Sequence, residues 1–245
     1  MEPMCRQAVI LAAGRGTRLA PLTDDRPKCL VEVAGQPLID ALLGSLEQAG
    51  IRQVLVVIGH RADAVRRHFA AARPSIPVEL VDNPGYLLTN NAISLWTARD
   101  LLRPPFLLVE GDLWLTPAVV ARLMPCDRIA VAASHRLATG THATIEGGGV
   151  TRLDLSPAER TPGMYKTVNA ASFSPAWWSE WFRPRLEHLV ATGTGDEFYE
   201  AAIAAALAGG GPPLAPVLVE DDEWFEIDTP EDLMQARDRL ALSAR

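Results

Sequence analysis

Residues 8–30 read AVILAAGRGTRLAPLTDDRPKCL. An apolar run breaks at once into small residues, then two arginines, a proline-bearing stretch and a lysine. The continuous apolar segment 8–11 suits a strand buried on both faces, as in a parallel sheet. A glycine-rich turn directly after such a strand lets backbone N–H groups close on phosphate oxygens, because no Cβ stands in the way. Gly14 and Gly16 offer that approach, and Arg15, Arg18 and Lys28 offer charge against a polyphosphate. The spacing fits neither GxxxxGK[ST] nor GxGxxG. A tight turn with solvated charges is the competing reading of the glycines alone.

Outward from this stretch, apolar runs alternate with helical patterns. Residues 37–50 predict a helix with proline at its start and glycine at its end. Strands follow at 54–58, 78–81 and 106–112, with helices at 62–72 and 90–102, the last capped by Asn90. This alternation predicts an α/β chain with a Rossmann-like open sheet, mostly parallel, flanked by helices. The second half changes to shorter strands at 129–134, 143–146, 150–155 and 166–174, the middle two joined as a hairpin by Gly147–Gly149. They read as a small β insertion in a mixed sheet. A tryptophan-rich helix, an alanine-rich helix ending at Gly209, a short strand "EWFEID" and a closing helix after Thr229 and Pro230 complete the chain. Residues 1–245 are read as one domain, with a nucleotide-binding half at about 1–125 and an acceptor-binding half at about 126–245.

Composition narrows the classes. The 245 residues are 48% hydrophobic with a formal charge of -7, which argues against nucleic acid as a partner. Three cysteines, odd in number and without a CxxC pair, argue against a disulfide framework or zinc site and fit a cytoplasmic protein. No apolar run approaches the ~18 residues of a membrane span.

Two acids end predicted strands: Asp112 after "FLLVEG" and Asp228 after "EWFEI". Carboxylates at the carboxyl ends of strands in an open α/β sheet face the ligand side. A pair of them suits Mg²⁺, which takes one or two carboxylates and fills its sphere with phosphate oxygens and water. A helix cap or turn aspartate is the alternative for each alone.

The stretch LAAGRGTRLAPLTDDRPKCLVEVAGQPLI, residues 11–39, resembles the signature LxAGxGxRxxPxTxxxPKxLxxxxGxPxI of nucleotidyltransferases that activate sugar phosphates and small phosphoesters. The resemblance implies their Rossmann-like fold. It implies that Leu11, Ala12, Ala13 and Gly14 lie along the base and ribose. It further implies that Gly16, Thr17 and Arg18 meet the triphosphate and that Lys28 bridges the reacting phosphates. "EGD" and "EIDTPEDL" are similar to the family's two metal-binding segments, which implies Mg²⁺ at Asp112 and Asp228, with Glu110 and Glu226 beside them. "NPGYLLTNNAISLWTARDLL", residues 83–102, resembles the phosphocholine and phosphonate cytidylyltransferases. That branch implies CTP as donor, with Asn83, Asn90, Asn91 and Ser94 on the nucleotide side; amides match both edges of cytosine.

On the acceptor side the resemblance implies Lys166, with Asn169 beside it, against a phosphate or phosphonate, making Arg18, Lys28 and Lys166 the catalytic cations. Tyr86, Trp114, Trp224 and Glu226 are candidates for the acceptor's remainder, the aromatics as a possible cation cage. Choline asks for aromatic faces, an aminoalkyl tail for carboxylates, a carboxylated tail for cations such as His135, Arg136 or Arg152; the tail stays open. Family members are often dimers, which implies a homodimer. The expected activity is CTP-dependent transfer of CMP to a small phosphonate or phosphomonoester. Its alternatives are a sugar-1-phosphate nucleotidyltransferase using another nucleotide and a nucleotide-binding module without turnover.

Overall fold

The computed structural model describes residues 3–133, 140–157 and 163–243. The first half runs β1 (Gln7–Ala12), β2 (Glu32–Val33), β3 (Gln36–Pro37), α1 (Leu38–Ala49), β4 (Gln53–Ile58), α2 (Ala62–Ala72), β5 (Val78–Asp82), α3 (Asn91–Ala98) and β6 (Phe106–Glu110). The second runs β7 (Leu113–Leu115), α4 (Pro117–Leu123), β8 (Arg128–Ala132), β9 (His142–Glu146), β10 (Gly149–Asp154), β11 (Met164–Phe173), α5 (Arg183–Thr192), α6 (Tyr199–Ala208), β12 (Ala215–Val219), β13 (Trp224–Glu226) and α7 (Pro230–Ser243).

β1 is the axis of the sheet, pairing parallel with β4 on one side and β6 on the other, with β5 beyond β4. All six of its residues are buried, and they alternate between two cores. Ala8, Ile10 and Ala12 join Val54, Val56, Leu107 and Val109 under α1, α2 and α4. Val9 and Leu11 join Leu55, Val57, Phe106 and Leu108 under α3, α5 and α6. Both faces being covered is why these strands read as unbroken apolar runs. In α1, Leu38, Ile39, Leu42, Leu43 and Leu46 are buried at helical spacing. Each stabilises the fold by about 1.5–3 kcal/mol relative to exposure. Gly50, at φ 101°, ends the helix by donating its N–H to Glu47 and Leu46 carbonyls.

Beyond β6 the sheet turns antiparallel. β11 pairs along one edge with β8, and along the other first with β9 and then with β6. Asn169 sits where the partner changes, inside an irregularity between Thr167 and Ala171, with φ 54°. Asparagine is among the few residues that adopt this left-handed conformation readily. A separate ribbon, β7 with β13, places Glu226 opposite Leu113, and Ile227 N–H donates to the Asp112 carbonyl at 3.0 Å. That ribbon brings the two halves of the chain together at the site. A third, smaller cluster packs Leu19, Val31 and Val33 of the opening segment against Ile227, Leu233 and Ala236, the last two on α7.

The mixed α/β architecture matches the sequence expectation, with corrections at several edges. The helix expected at 37–50 starts at Leu38, with Pro37 as its cap; that expected at 90–102 ends at Ala98. The tryptophan-rich segment is a π-helical turn over Trp177–Phe182 running into α5. α4, β7 and β12 were not expected. The strand expected at 129–134 is β8, its last two expected positions being Ala133, outside the strand, and Ser134, outside the described residues. Among the described residues no helix is long and apolar enough to cross a membrane.

Candidate active site

The site lies at the carboxyl ends of β1 and β6, where an open α/β sheet presents its ligand groups. Two glycines let the opening loop sit close to the sheet. A Cβ at Gly111 would meet the Leu11 carbonyl at 2.9 Å and Ala12 Cβ at 2.8 Å. One at Gly59 would meet the Ala13 carbonyl at 2.8 Å and Tyr86 Cβ at 2.6 Å. The backbone is tied on both sides, Gly111 N–H donating to Leu11 at 2.8 Å and His60 N–H to Ala13 at 2.9 Å. Gly14 faces open space, whereas Gly16 has φ 63° and room only for a hydrogen, since a Cβ would press on Lys28 at 3.0 Å. Thr23 Oγ1 donates to the Gly16 carbonyl at 2.8 Å and fixes the turn.

Lys28 sits at the centre. Its Nζ donates to Asp112 Oδ2 at 2.8 Å and to Asp228 Oδ1 at 2.6 Å, joining residues from three distant parts of the chain. Arg18, largely exposed, reaches Asp228 Oδ2 at 2.9 Å. Burial works against the Lys28 charge, but the Asp112 and Asp228 carboxylates outweigh it and hold the ammonium well above the usual lysine range. The lysine therefore stays charged throughout the neutral range. Asp112 Oδ1 is buried without a hydrogen-bond partner among the described residues. No group of three or more His, Cys, Asp or Glu side chains there is arranged to hold a metal. A hard cation completed by phosphate oxygens needs only the carboxylate pair, and the unpartnered Asp112 oxygen gives it a ready ligand. The residues fit such an ion.

A cavity of about 270 Å³ opens beside this cluster. Leu11, Ala12, Ala13, Gly14, Gly16, Thr17, Arg18 and Lys28 line one wall, and Tyr86, Asn90, Asn91 and Ser94 another. The amides on that wall already serve the protein. Asn90 Oδ1 accepts from Asn91 N–H, and its Nδ2 donates to the Asp196 carbonyl at 3.2 Å. Asn91 Nδ2 donates to Glu110 Oε1 at 2.9 Å, and its Oδ1 accepts from Tyr199 N–H at 2.8 Å. Asn83 is buried outside the cavity lining, bonding Gly85 N–H, Thr89 and Ser94.

A second cavity of about 260 Å³ shares Arg18, Glu110, Asp112, Phe198 and Asp228 with the first. Lys166 reaches it almost fully buried, its Nζ donating to the Thr167 carbonyl at 2.9 Å and lying 3.6 Å from Glu226 Oε2. Asn169 Nδ2 donates to Glu226 Oε1 at 3.4 Å. Burial pushes the Glu226 carboxyl up to about 7, the nearby Asp112 and Asp228 adding to the rise and Lys166 and Lys28 opposing it. Burial, then Asp112, Glu200 and Glu226, push Glu110 well above the usual range; burial also raises Glu200, against the Asn91 hydrogen bond and the Lys166 charge.

Trp114 and Trp224 do not line either cavity. In the β7–β13 ribbon Trp224 stands opposite Leu115 and enters the large core, while Trp114 stands opposite Phe225 and packs on it, ring centroids 5.4 Å apart. Trp114 lies two residues after Asp112 and Trp224 four before Asp228, yet each packs into a hydrophobic cluster. Arg152 is exposed and paired with Asp154; His135 and Arg136 lie outside the described residues. Reading the sequence alone missed Glu200, Gly59 and Gly111. Glu200 sits on α6, in a helix whose alanine-rich pattern suggests only packing, and nothing local marks it as facing a cavity.

With this geometry in place, the comparisons decide the family. Residues 8–206 match the MobA-like NTP transferase domain. The chain belongs to that family. It is 35% identical over 243 residues, 96% of its own length and 39% of the relative's, to CMP-5'-(3-aminopropyl)phosphonate synthase of Streptomyces rubellomurinus. A 2-aminoethylphosphonate cytidylyltransferase of Lancefieldella rimae is 41% identical over 108 residues, 43% of this chain and 42% of the relative. The chain thus aligns with about half or less of the curated relatives it matches. In structure it resembles the CTP:phosphocholine cytidylyltransferase of Streptococcus pneumoniae, with TM-score 0.77, 20% identity and coverage of 96% of this chain and 99% of that one. The nucleotidyltransferase fold is therefore the fold of this chain.

Proposed function

We propose that the chain transfers CMP from CTP to an anionic oxygen of a small phosphonate or phosphomonoester and releases pyrophosphate. The observation that carries the reading is the convergence of the Gly14–Gly16 turn, Lys28, Asp112 and Asp228 on one cavity. CTP as the donor draws support from the CMP-linked product and the cytidylyl transfer named for the two relatives above.

The acceptor oxygen attacks the α-phosphorus of CTP. A new P–O bond forms as the bond to the bridging oxygen breaks, and that electron pair leaves with pyrophosphate. A phosphonate or phosphate oxygen is already anionic near pH 7, so no general base is needed; positioning and charge neutralisation carry the rate. Backbone N–H groups of the glycine turn cradle the triphosphate, and Arg18 and Lys28 offset the charge that moves onto the leaving pyrophosphate. Lys166 holds the acceptor's anionic head. Leu11, Ala12, Ala13 and Gly14 flank the base and ribose, with Asn90, Asn91 and Ser94 forming the opposite wall. Asp112 and Asp228 would hold Mg²⁺, which when bound neutralises phosphate oxygens.

Pyrophosphate release measured with CTP, UTP, GTP and dTTP, each offered 2-aminoethylphosphonate, phosphocholine and glucose 1-phosphate, tests this. Release with CTP and a phosphonate or phosphocholine is expected. Release only with glucose 1-phosphate would make the chain a sugar-1-phosphate nucleotidyltransferase, and CTP binding without release would make it a binding module.

A further inference from the structure

A short turn places Lys28. Cys29 is buried beside it, and the Leu30 and Val31 N–H groups close the turn on the Pro27 and Lys28 carbonyls at 2.9 and 3.0 Å. The lysine stem lies against Gly16, where an added Cβ would meet Lys28 Cβ at 3.0 Å and Cδ at 3.2 Å. From there Nζ bonds one oxygen of each aspartate, Asp112 Oδ2 and Asp228 Oδ1. The three side chains are 14%, 16% and 18% exposed, so water and salt screen the cluster weakly. The neighbouring cations are placed differently. Arg18 meets Asp228 Oδ2 from a side chain that is 68% exposed, and Lys166 lies beside Glu226.

Resting on the cytidylyl-transfer reading and its divalent ion, we propose a second role for Lys28: it weakens the hold of the aspartate pair on a divalent ion until a triphosphate is bound. The ammonium and the ion draw on the same two carboxylates. Asp112 Oδ1 has no hydrogen-bond partner among the described residues. An ion bound there would still face the ammonium that Oδ2 of the same carboxylate holds, and like charges so close in a buried site repel strongly. A triphosphate on the Gly14–Gly16 turn changes the balance, because Gly14, Gly16 and Lys28 line the same cavity. Its oxygens give Lys28 another anionic partner, which frees carboxylate oxygens, and they complete the coordination of the ion. Ion and nucleotide then favour each other's binding, since coupling between two ligands is reciprocal. The free chain takes up the ion with the nucleotide rather than ahead of it.

Mn²⁺ titrations of the full chain without nucleotide, followed by electron paramagnetic resonance, test this apart from turnover. Lys28→Met and Lys28→Gln are each expected to bind Mn²⁺ at least ~10-fold more tightly than the wild-type chain, although both lose activity. Arg15→Gln, which removes an exposed charge from the same loop, is expected to stay within about threefold of wild type. Unchanged affinity in Lys28 variants that still melt cooperatively overturns the inference and leaves the cytidylyl reading standing. An equal gain in Arg15→Gln does the same, because the effect is then one of net charge. Wild-type crystals supply a second measurement that needs no variant. In Mn²⁺ alone, Lys28 is expected on both aspartates with no anomalous peak between them. Adding a non-hydrolysable CTP analogue at the same Mn²⁺ concentration is expected to bring the peak and to move Nζ onto phosphate oxygen. A peak in Mn²⁺ alone, with both lysine contacts kept, overturns the inference. No peak in either state removes the ion and the inference with it, while pyrophosphate release tests the transfer reading on its own.

Discussion

Lys28 is the residue on which the site turns, because one ammonium bridges two carboxylates 84 and 200 positions away in sequence. Substituting Lys28→Ala leaves those carboxylates facing each other and removes a charge from the phosphates. Turnover is expected to fall by at least ~10²–10³ in kcat, measured as pyrophosphate release, and a near-wild-type rate would remove the residue from the mechanism. Asp112→Asn is expected to fall comparably, because it weakens both the lysine's anchor and the ligand a divalent ion would use. Two cysteines make a separate point. Cys5 and Cys29 are buried, and burial pushes both thiols up to about 12, so neither forms thiolate near neutral pH. A thiol-reactive dye should label at most one of the three cysteines quickly in the folded chain; rapid labelling of all three would show that the buried packing around Cys5 and Cys29 is wrong.

At the scale of elements, two devices hold the aspartates in place. The first is the start of α7. Asp232 Oδ2 accepts from Thr229 N–H at 2.8 Å and Asp228 N–H at 3.1 Å, while Thr229 Oγ1 accepts from Asp232 N–H at 3.2 Å. This is a reciprocal cap, and Thr229→Ala should cost about 1 kcal/mol and lower Tm by about 2–4 °C. The loss should appear in calorimetry together with a drop in turnover, since Asp228 precedes the cap; full activity would show that the cap does not position it. The second is the close approach of β6 to β1. Gly111→Ala forces a Cβ onto backbone at 2.9 Å and should destabilise by about 1–3 kcal/mol; an unchanged melt would contradict the packing. These elements also show what a sequence reader sees. β1, β4, β6 and α1 were legible because strong hydrophobic patterns are local, and Asp112 and Asp228 because each ends such a run. β7 was too short to carry a period, and "APVLV" in β12 contains a proline that argues against a strand. The direction of Trp114 and Trp224 depended on a ribbon pairing that no local pattern records. Glu200 became part of the site only when α6 packed beside Asn91.

The whole molecule brings its ends together. The opening segment and α7 share the third cluster through Leu19, Val31, Leu233 and Ala236, so the glycine-rich opening loop and the carboxylate after β13 are braced by one piece of packing. The signature at residues 11–39 was legible before any coordinates, because its chemistry is carried by closely spaced residues. The second cavity was not, because it is assembled from β6, β11, α6 and β13, four elements spread over half the chain. A crystal structure with a non-hydrolysable CTP analogue tests the central claim most directly. The account predicts the triphosphate along the backbone from Gly14 to Arg18, with Lys28 and both aspartates around the α-phosphate and Glu200 facing away from the base. A triphosphate bound elsewhere, or one lying beyond reach of Lys28 and Asp112, would contradict it.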